Sequence, residues 1–416
     1  MREMIIHLLD GVFRVVNNKH LAGAAACLFG VAVVGFLWNR WARRGPGGGR
    51  RAGPGVHIGG GEGEGEGEED HEDGELYHLI RLESLGNDNM HAPVTIKVTE
   101  GGANARIKYA TSSMQGWGHR MEDTRALMPD LDGLTSFFGV YDGHGGAGIS
   151  EYCSGRFHTE LVNDKDYQHN LTSAVHSVFL RIDGLLQESD EMMQLINPHD
   201  NCPFIKAPCN VAKQISGSTA CVAVIRGNHI IVGNVGDSRC VISRNGQAIE
   251  LSTEHIPQNQ VERLRIQRAG GQVTRDKFLV LAEGRTVGSW LGTHRINGIL
   301  SLSRSIGDFA FKQNKNLPPD EQMVTCIPDL HIMEITNDIE FCVIGSHGLW
   351  DCMTSQDVVD FVNHHLRLGQ TNVRVICERL VGRCLHSMDN GTAILVQFKS
   401  EVENPNGNNA EQLMHL

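Results

Sequence analysis

The stretch Ser136-Phe-Phe-Gly-Val-Tyr-Asp142-Gly-His144-Gly-Gly146 divides into a strand and a loop. Phe137, Phe138, Val140 and Tyr141 are the aromatic and β-branched types that fill a half-buried or fully buried strand. Gly143, Gly145 and Gly146 then demand a tight turn with its backbone bare. That turn carries chemistry. Asp142 offers a hard carboxylate to a divalent cation, Gly143 leaves its own carbonyl unshielded for the same ion, and His144 moves protons near neutral pH. A lone Asp-Gly turn more often serves backbone geometry than catalysis, so the rest of the chain has to decide between the two.

Upstream of this stretch, 107–113 reads as a strand leading through an aromatic turn to the adjacent acids Glu122 and Asp123. Downstream, 150–162 and 171–187 show helical spacing, the second placing Leu171, Val175, Val178, Phe179, Ile182 and Leu186 on one side. Residues 188–214 contain Asn197-Pro198, Cys202-Pro203 and Ala207-Pro208 and read as a long surface loop. Short strands at 220–225, 229–234 and 240–243, joined by tight turns, indicate antiparallel meanders. A helix at 258–269 ends at Gly270-Gly271. Strands are predicted at 300–304 and 341–345, helices at 355–367 and 373–386, and a last strand at 393–398. Strands in runs with helices grouped between them indicate α+β, a sandwich of two antiparallel β-sheets flanked by helices (α-β-β-α).

Several strand ends carry acids: Asp142, Asp237, Asp308, Asp351 and Asp389, with Glu122 and Asp123 beside them. If the two sheets pack face to face, some of these ends meet on one edge. Carboxylates gathered there without Lys or Arg need cations to neutralise them. A pair of hard ions bridged by Asp142 would bind phosphate oxygens and make hydroxide from water.

The N-terminal part is different in kind. Eighteen uncharged residues, 21–38, are just long enough to cross a bilayer core, with Trp38 and Trp41 at the end as interfacial anchors. Arg40, Arg43, Arg44, Arg50 and Arg51 follow the run, against Arg2, Arg14 and Lys19 before it, so the positive-inside bias puts the bulk of the chain in the cytosol. The small residues 24–26 open the run rather than close it, which argues against a cleaved signal peptide. The absence of Ser and Thr before Ser84 argues against a transit peptide. Ile5, Leu8, Leu9, Val12 and Val16 have helical spacing, which suits a helix lying on the membrane and equally one packed on the protein.

Residues 45–75 turn Gly-rich and then acidic, a composition that cannot bury enough apolar surface to offset chain entropy. Nine acids fall between Glu62 and Glu75, so much of the formal charge of −12 sits in this linker. No basic stretch interleaved with aromatics occurs, which argues against nucleic acid as a partner. Eleven scattered cysteines without a CxxC pair suit reduced thiols better than a disulfide or zinc framework.

The set of turns carries a resemblance. GWxxxMED at 116–123, YDGHGG at 141–146, SGSTA at 216–220, VGDSR at 235–239, LSxEH at 251–255, SRSIGD at 303–308, HGLWD at 347–351 and MDNGT at 388–392 resemble the motifs of the metal-dependent, type 2C protein serine/threonine phosphatases, above all their plant members. The resemblance implies a sandwich of two antiparallel sheets flanked by helices. It also implies hydrolysis of phosphoserine and phosphothreonine in phosphoproteins by hydroxide bound to two ions, Mn2+ or Mg2+. By position, Asp142 would bridge both ions, Glu122 and the Gly143 carbonyl would serve one, and Asp389 would hold the other. His144 would protonate the leaving oxygen, and Asp237 and Asp308 would brace turns.

The chain departs from that pattern at three places. His347 stands where the family has a metal-binding Asp. Gly118 stands where many members have a phosphate-binding Arg, with His119 and Arg120 nearby, and Arg120 is the candidate phosphate contact. Glu254 aligns with an Asp that helps hold a third metal. A catalytically impaired homologue serving as a phosphoprotein-binding scaffold is therefore the alternative to an active phosphatase. The expected organisation is an amphipathic and transmembrane anchor at 1–44, a disordered linker at 45–104, a phosphatase domain at 105–398 facing the cytosol and a disordered tail at 399–416, in a monomer.

Overall fold

The structure is a computed structural model that describes residues 76–81, 92–188, 215–282 and 285–399. The expected anchor at 1–44, the acidic part of the linker, nearly all of the long loop and the tail beyond Lys399 lie outside these residues. Among the described residues no helix is long and apolar enough to cross a membrane; the apolar run 21–38 is not among them.

Residues 92–188, 215–279 and 288–399 belong to one compact unit, and two sheets form its centre. One has six strands in the order Gln247–Glu250, Arg239–Arg244, Ile339–Gly345, Gly391–Phe398, Ile107–Gly116 and Val94–Ala103. The other has five, in the order Asp329–Glu334, His229–Val235, Ala220–Arg226, Thr135–Tyr141 and Thr124–Met128. All these neighbours pair antiparallel.

Thr135–Tyr141 is buried along its whole length, and its alternation shows why. Phe138 and Val140 join Val232, Ile344 and Val396 between the sheets, whereas Phe137 and Tyr141 join Phe157 and Phe179 of the covering helices Gly148–Val162 and Leu171–Glu188. On the far side Val358, Val362, Ile376 and Leu380, from helices Ser355–Arg367 and Val373–Val381, pack on Val343 and Leu395. Each such fully buried side chain contributes roughly 1.5–3 kcal/mol of apolar transfer free energy. The α-β-β-α order expected from the sequence is the order observed.

Several details differ from the sequence reading, beginning with strands it did not expect, among them Thr124–Met128 and Asp329–Glu334. Val94–Ala103, inside the segment read as linker, is an edge strand paired with Ile107–Gly116; its exposed Ile96 and Val98 gave it no clean alternation. Leu76–Arg81, in the same segment, is also a strand. The strand expected at 300–304 is absent. Leu300 and Arg304 make only single bridges, to Ile296 and Thr325, because Ser303 and Arg304 turn their side chains onto Glu262. The helix expected at 373–386 ends at Val381 and finishes as the 3-10 turn Gly382–His386. The eight cysteines among the described residues are free thiols.

Candidate active site

The turn after Thr135–Tyr141 is built without side chains where neighbours crowd it. A Cβ on Gly143 would lie 2.7 Å from the Glu122 carbonyl oxygen and 2.8 Å from Ser150 Oγ. Gly146 sits at φ +117°, a conformation open to glycine and strained for other residues. There its N–H donates to Glu122 Oε1 at 2.6 Å. Gly143 and His144 then run as a short strand against Gly217 and Ser218, so Asp142 and His144 leave the sheet edge in fixed directions.

Three loops from the other sheet meet this turn. Asn390 accepts the Glu122 N–H at 2.8 Å and donates to the carbonyls of Gln115 and Arg120 at 2.8 Å each. It thereby ties the Met388-Asp-Asn loop, and Asp389 with it, to the Glu122 segment. The N–H of His347 donates to Asp142 Oδ2 at 3.1 Å. Ser346 Oγ donates to the buried Asp123 at 2.7 Å, leaving the other Asp123 oxygen inside the protein with no hydrogen bond.

The electrostatics follow from this crowding. Burial, and then the charges of Asp123, Asp389 and Asp237, push the Asp142 carboxyl well above its usual range. Burial also raises Glu122, Asp237 and Asp389, and Asp123 is pushed up to about 7 by burial and the Asp389 charge. His347 is held the other way. Its ring lies 3.4 Å from Asp237 and 3.2 Å from Asp351. Although burial opposes the charge, these carboxylates raise it to about 11. An imidazolium thus sits among the acids.

The structure brings Glu122, Asp142, Gly143, His144, His347 and Asp389 into one cleft. Arg120 lies exposed at its rim beside Glu122, its carbonyl held by Asn390. Glu254 pairs with Arg239, so it is committed to a cation. Two residues read as turn braces are more than that: Asp237 faces His347, and Asp308 contacts His144 Nε2 through both oxygens, at 2.8 and 3.0 Å. For Asp237 the signal was present in the sequence, an acid closing a buried strand, as at Asp142. Asp308 gave the same signal, but not its partner, which is 164 residues away.

The donor set fits hard divalent cations. It is all carboxylate and carbonyl oxygen apart from His347, its acids repel one another, and one Asp123 oxygen is buried unpaired. No three His, Cys, Asp or Glu side chains among the described residues converge as a ready cage. At His347 the acids are offset by an imidazolium instead.

Comparison with known proteins follows the same line. The family model described as "Protein phosphatase 2C" matches residues 107–391. Rice (Oryza sativa subsp. japonica) "Probable protein phosphatase 2C 21" is 52% identical over 313 residues, 73% of this chain and 87% of that protein. Rice "Probable protein phosphatase 2C 20" is 49% identical over 76% of this chain, which spans 63% of that relative. The crystal structure of serine-threonine phosphatase 2C from Toxoplasma gondii shares the fold with a TM-score of 0.56 at 22% identity, over 74% of this chain and all of that one. Eight motifs in register, the carboxylate cleft between two sheets and these matches together make the chain a member of the protein phosphatase 2C family.

Proposed function

We propose that the protein is a metal-dependent protein serine/threonine phosphatase that hydrolyses phosphoserine and phosphothreonine in phosphoproteins at the Asp142 cleft. The observation that carries this reading is the group of crowded carboxylates around the turn that also presents His144, with Asp389 acting against both Glu122 and Asp142 and burial raising all three. Such a group is stable only with positive charge beside it.

Glu122, Asp142 and the Gly143 carbonyl are the groups that would hold one ion, and Asp142 with Asp389 those for a second. Mn2+ or Mg2+ there would neutralise the phosphate and activate a water. The chain's own residues do the rest. Asn390 fixes the spacing between the Glu122 and Asp389 segments. Arg120 meets the phosphate at the rim. His144 gives a proton to the leaving serine or threonine oxygen.

One observation supports a second reading, a catalytically impaired phosphoprotein-binding homologue: the His347 imidazolium held by Asp237 and Asp351. Phosphate release from phosphoserine and phosphothreonine peptides separates the two. Manganese-dependent turnover supports the enzyme, and binding without turnover supports the scaffold.

The chain is further proposed to be anchored through residues 1–44 with its phosphatase domain in the cytosol. Removing 1–44 should release it from membranes. The sequence holds two glycosylation sequons, Asn170-Leu171-Thr172 and Asn390-Gly391-Thr392; Asn390 is buried with its amide committed, so Asn170, which is exposed, is the informative site. A glycan on Asn170 in protein from its native cell would sink this topology.

A further inference from the structure

The contact between His144 and Asp308 is assembled from three distant pieces of chain. Gly143–His144 pairs with Gly217–Ser218, which pairs in turn with Ile306–Gly307. This small three-stranded sheet exists apart from the two large ones. At its centre, residue 217 has no side chain. A Cβ there would lie 2.4 Å from Asp308 Oδ2 and 2.8 Å from His144 Nε2, so any other residue would part the two.

Asp308 itself is held in an unusual state. It is fully buried and sits at φ +50°, in the left-handed region that disfavours side chains other than Gly, Asn and Asp. Its N–H donates to the Ser216 carbonyl at 2.9 Å, and Ser305 Oγ donates to its Oδ2. The loop is pinned again where Gly307 N–H and Lys312 Nζ donate to Asp183, at 2.8 and 2.7 Å. A strained, dehydrated carboxylate aimed at one ring nitrogen of a cleft histidine is an arrangement whose cost asks for a function.

We propose that Asp308 is the positioning residue of the catalytic acid: it binds His144 Nε2–H, fixes the ring, and leaves Nδ1 as the nitrogen that hands a proton to the leaving oxygen. The proposal rests on the phosphatase reading and deepens it. With His144 starting protonated on both nitrogens, a water oxygen forms the new bond to phosphorus and its protons stay with the phosphate, while the old P–O bond breaks with its electron pair going to the serine or threonine oxygen. That oxygen takes the Nδ1 proton, giving free alcohol and inorganic phosphate. His144 is left neutral with its remaining proton on Nε2, shared with Asp308. The logic is that of a carboxylate fixing a histidine's tautomer. The motifs at 216–220 and 303–308 thereby act on the chemistry through one ring.

The test compares two leaving groups in the full chain with manganese. A phosphothreonine peptide leaves as an alkoxide and needs the proton, whereas p-nitrophenyl phosphate leaves as a stable phenolate. Asn tolerates φ +50° and matches Asp in shape, so Asp308→Asn removes the charge with the backbone in place. We expect kcat on the phosphopeptide to fall on the order of 10²-fold with KM steady, and kcat on p-nitrophenyl phosphate to fall by less than about fivefold. Equal losses on both substrates would mean a merely structural role and overturn the proposal, as would no loss on either.

A second measurement stands apart from turnover. In 15N-histidine NMR, with His144 assigned by its loss in His144→Gln, the neutral ring should carry its proton on Nε2, and Asp308→Asn should remove that bias. A proton on Nδ1 with Nε2 bare overturns the proposal, even in a protein whose Asp308→Asn form does not fold. Wild-type protein inert on both substrates would refute the phosphatase reading, while the spectrum would still decide the pairing.

Discussion

Glu122 and Glu262 are both glutamates drawn out of water, and the fold treats them in opposite ways. Glu262, on helix Gln260–Arg268, receives Arg265 at 2.7 Å, Arg304 at 2.8 Å and Ser303 at 2.6 Å. Burial would raise its pKa, but the hydrogen bond from Arg304 and the charge of Arg265 pull it down to about 2. Arg304 goes on to Asp329, which faces the buried His255, so this part of the molecule is an alternating network of acids and bases. Glu122 accepts a backbone N–H and has His144 and Arg120 as well as Asp389 near it, but burial outweighs the groups that lower it and drives it upward. One region uses its carboxylates to hold the fold. The other holds them against their own repulsion, which a structural role does not require and a cation site does.

Removing Asp142 separates the two uses most sharply. Asp142→Asn should lower manganese-dependent phosphatase activity on the order of 10³-fold. Without metal it should leave the melting temperature unchanged or raise it, because a crowded, buried carboxyl is replaced by an amide of the same shape that has no charge to bury. Assaying both quantities on one preparation checks this; a variant that unfolds would show that Asp142 stabilises the fold after all.

The matching change in the other region is Glu262→Gln. It leaves Arg265 inside the protein without its carboxylate and Arg304 with Asp329 alone, and should cost about 3 kcal/mol in urea unfolding near neutral pH. The wild-type contribution has a definite pH window. With a folded pKa of about 2 against the ordinary 4.5, the native state binds fewer protons than the unfolded one between these values. The stability is therefore complete above about 4.5 and lost as pH falls towards 2. Urea midpoints across that range should show Glu262→Gln approaching wild type at the acid end.

His347→Asp is the gentlest test. It replaces an imidazolium with another carboxylate, so it should tighten manganese binding by about tenfold and lower the melting temperature of the metal-free protein. If metal affinity is unmoved, the ring of His347 does not compete with a cation.

The two regions also differed in how far the sequence revealed them. The sandwich was legible because its strands are either alternating or wholly apolar, as in Thr135–Tyr141 and Ile339–Gly345. Edge strands such as Val94–Ala103 and Asp329–Glu334 expose both faces and carry little pattern. At the site, residues that close a buried strand with an acid were legible one by one. Their partners were not, since Asp308 with His144 and Asn390 with Glu122 meet only through folding. The segment 300–304 misled for the same reason: a locally strand-like run was claimed by a distant glutamate.

The central claim is that the Asp142 carboxylates are kept at an electrostatic cost so that they take up divalent cations. Calorimetric titration of the metal-free full chain with Mn2+ at neutral pH, repeated in buffers of different ionisation enthalpy, tests it directly. Because Asp142, Glu122 and Asp389 are all raised, binding should release protons, and Asp142→Asn should lose the tight binding and the release together. Wild-type protein that takes up no Mn2+, or an Asp142→Asn variant that binds it equally well with the same proton release, would contradict the account.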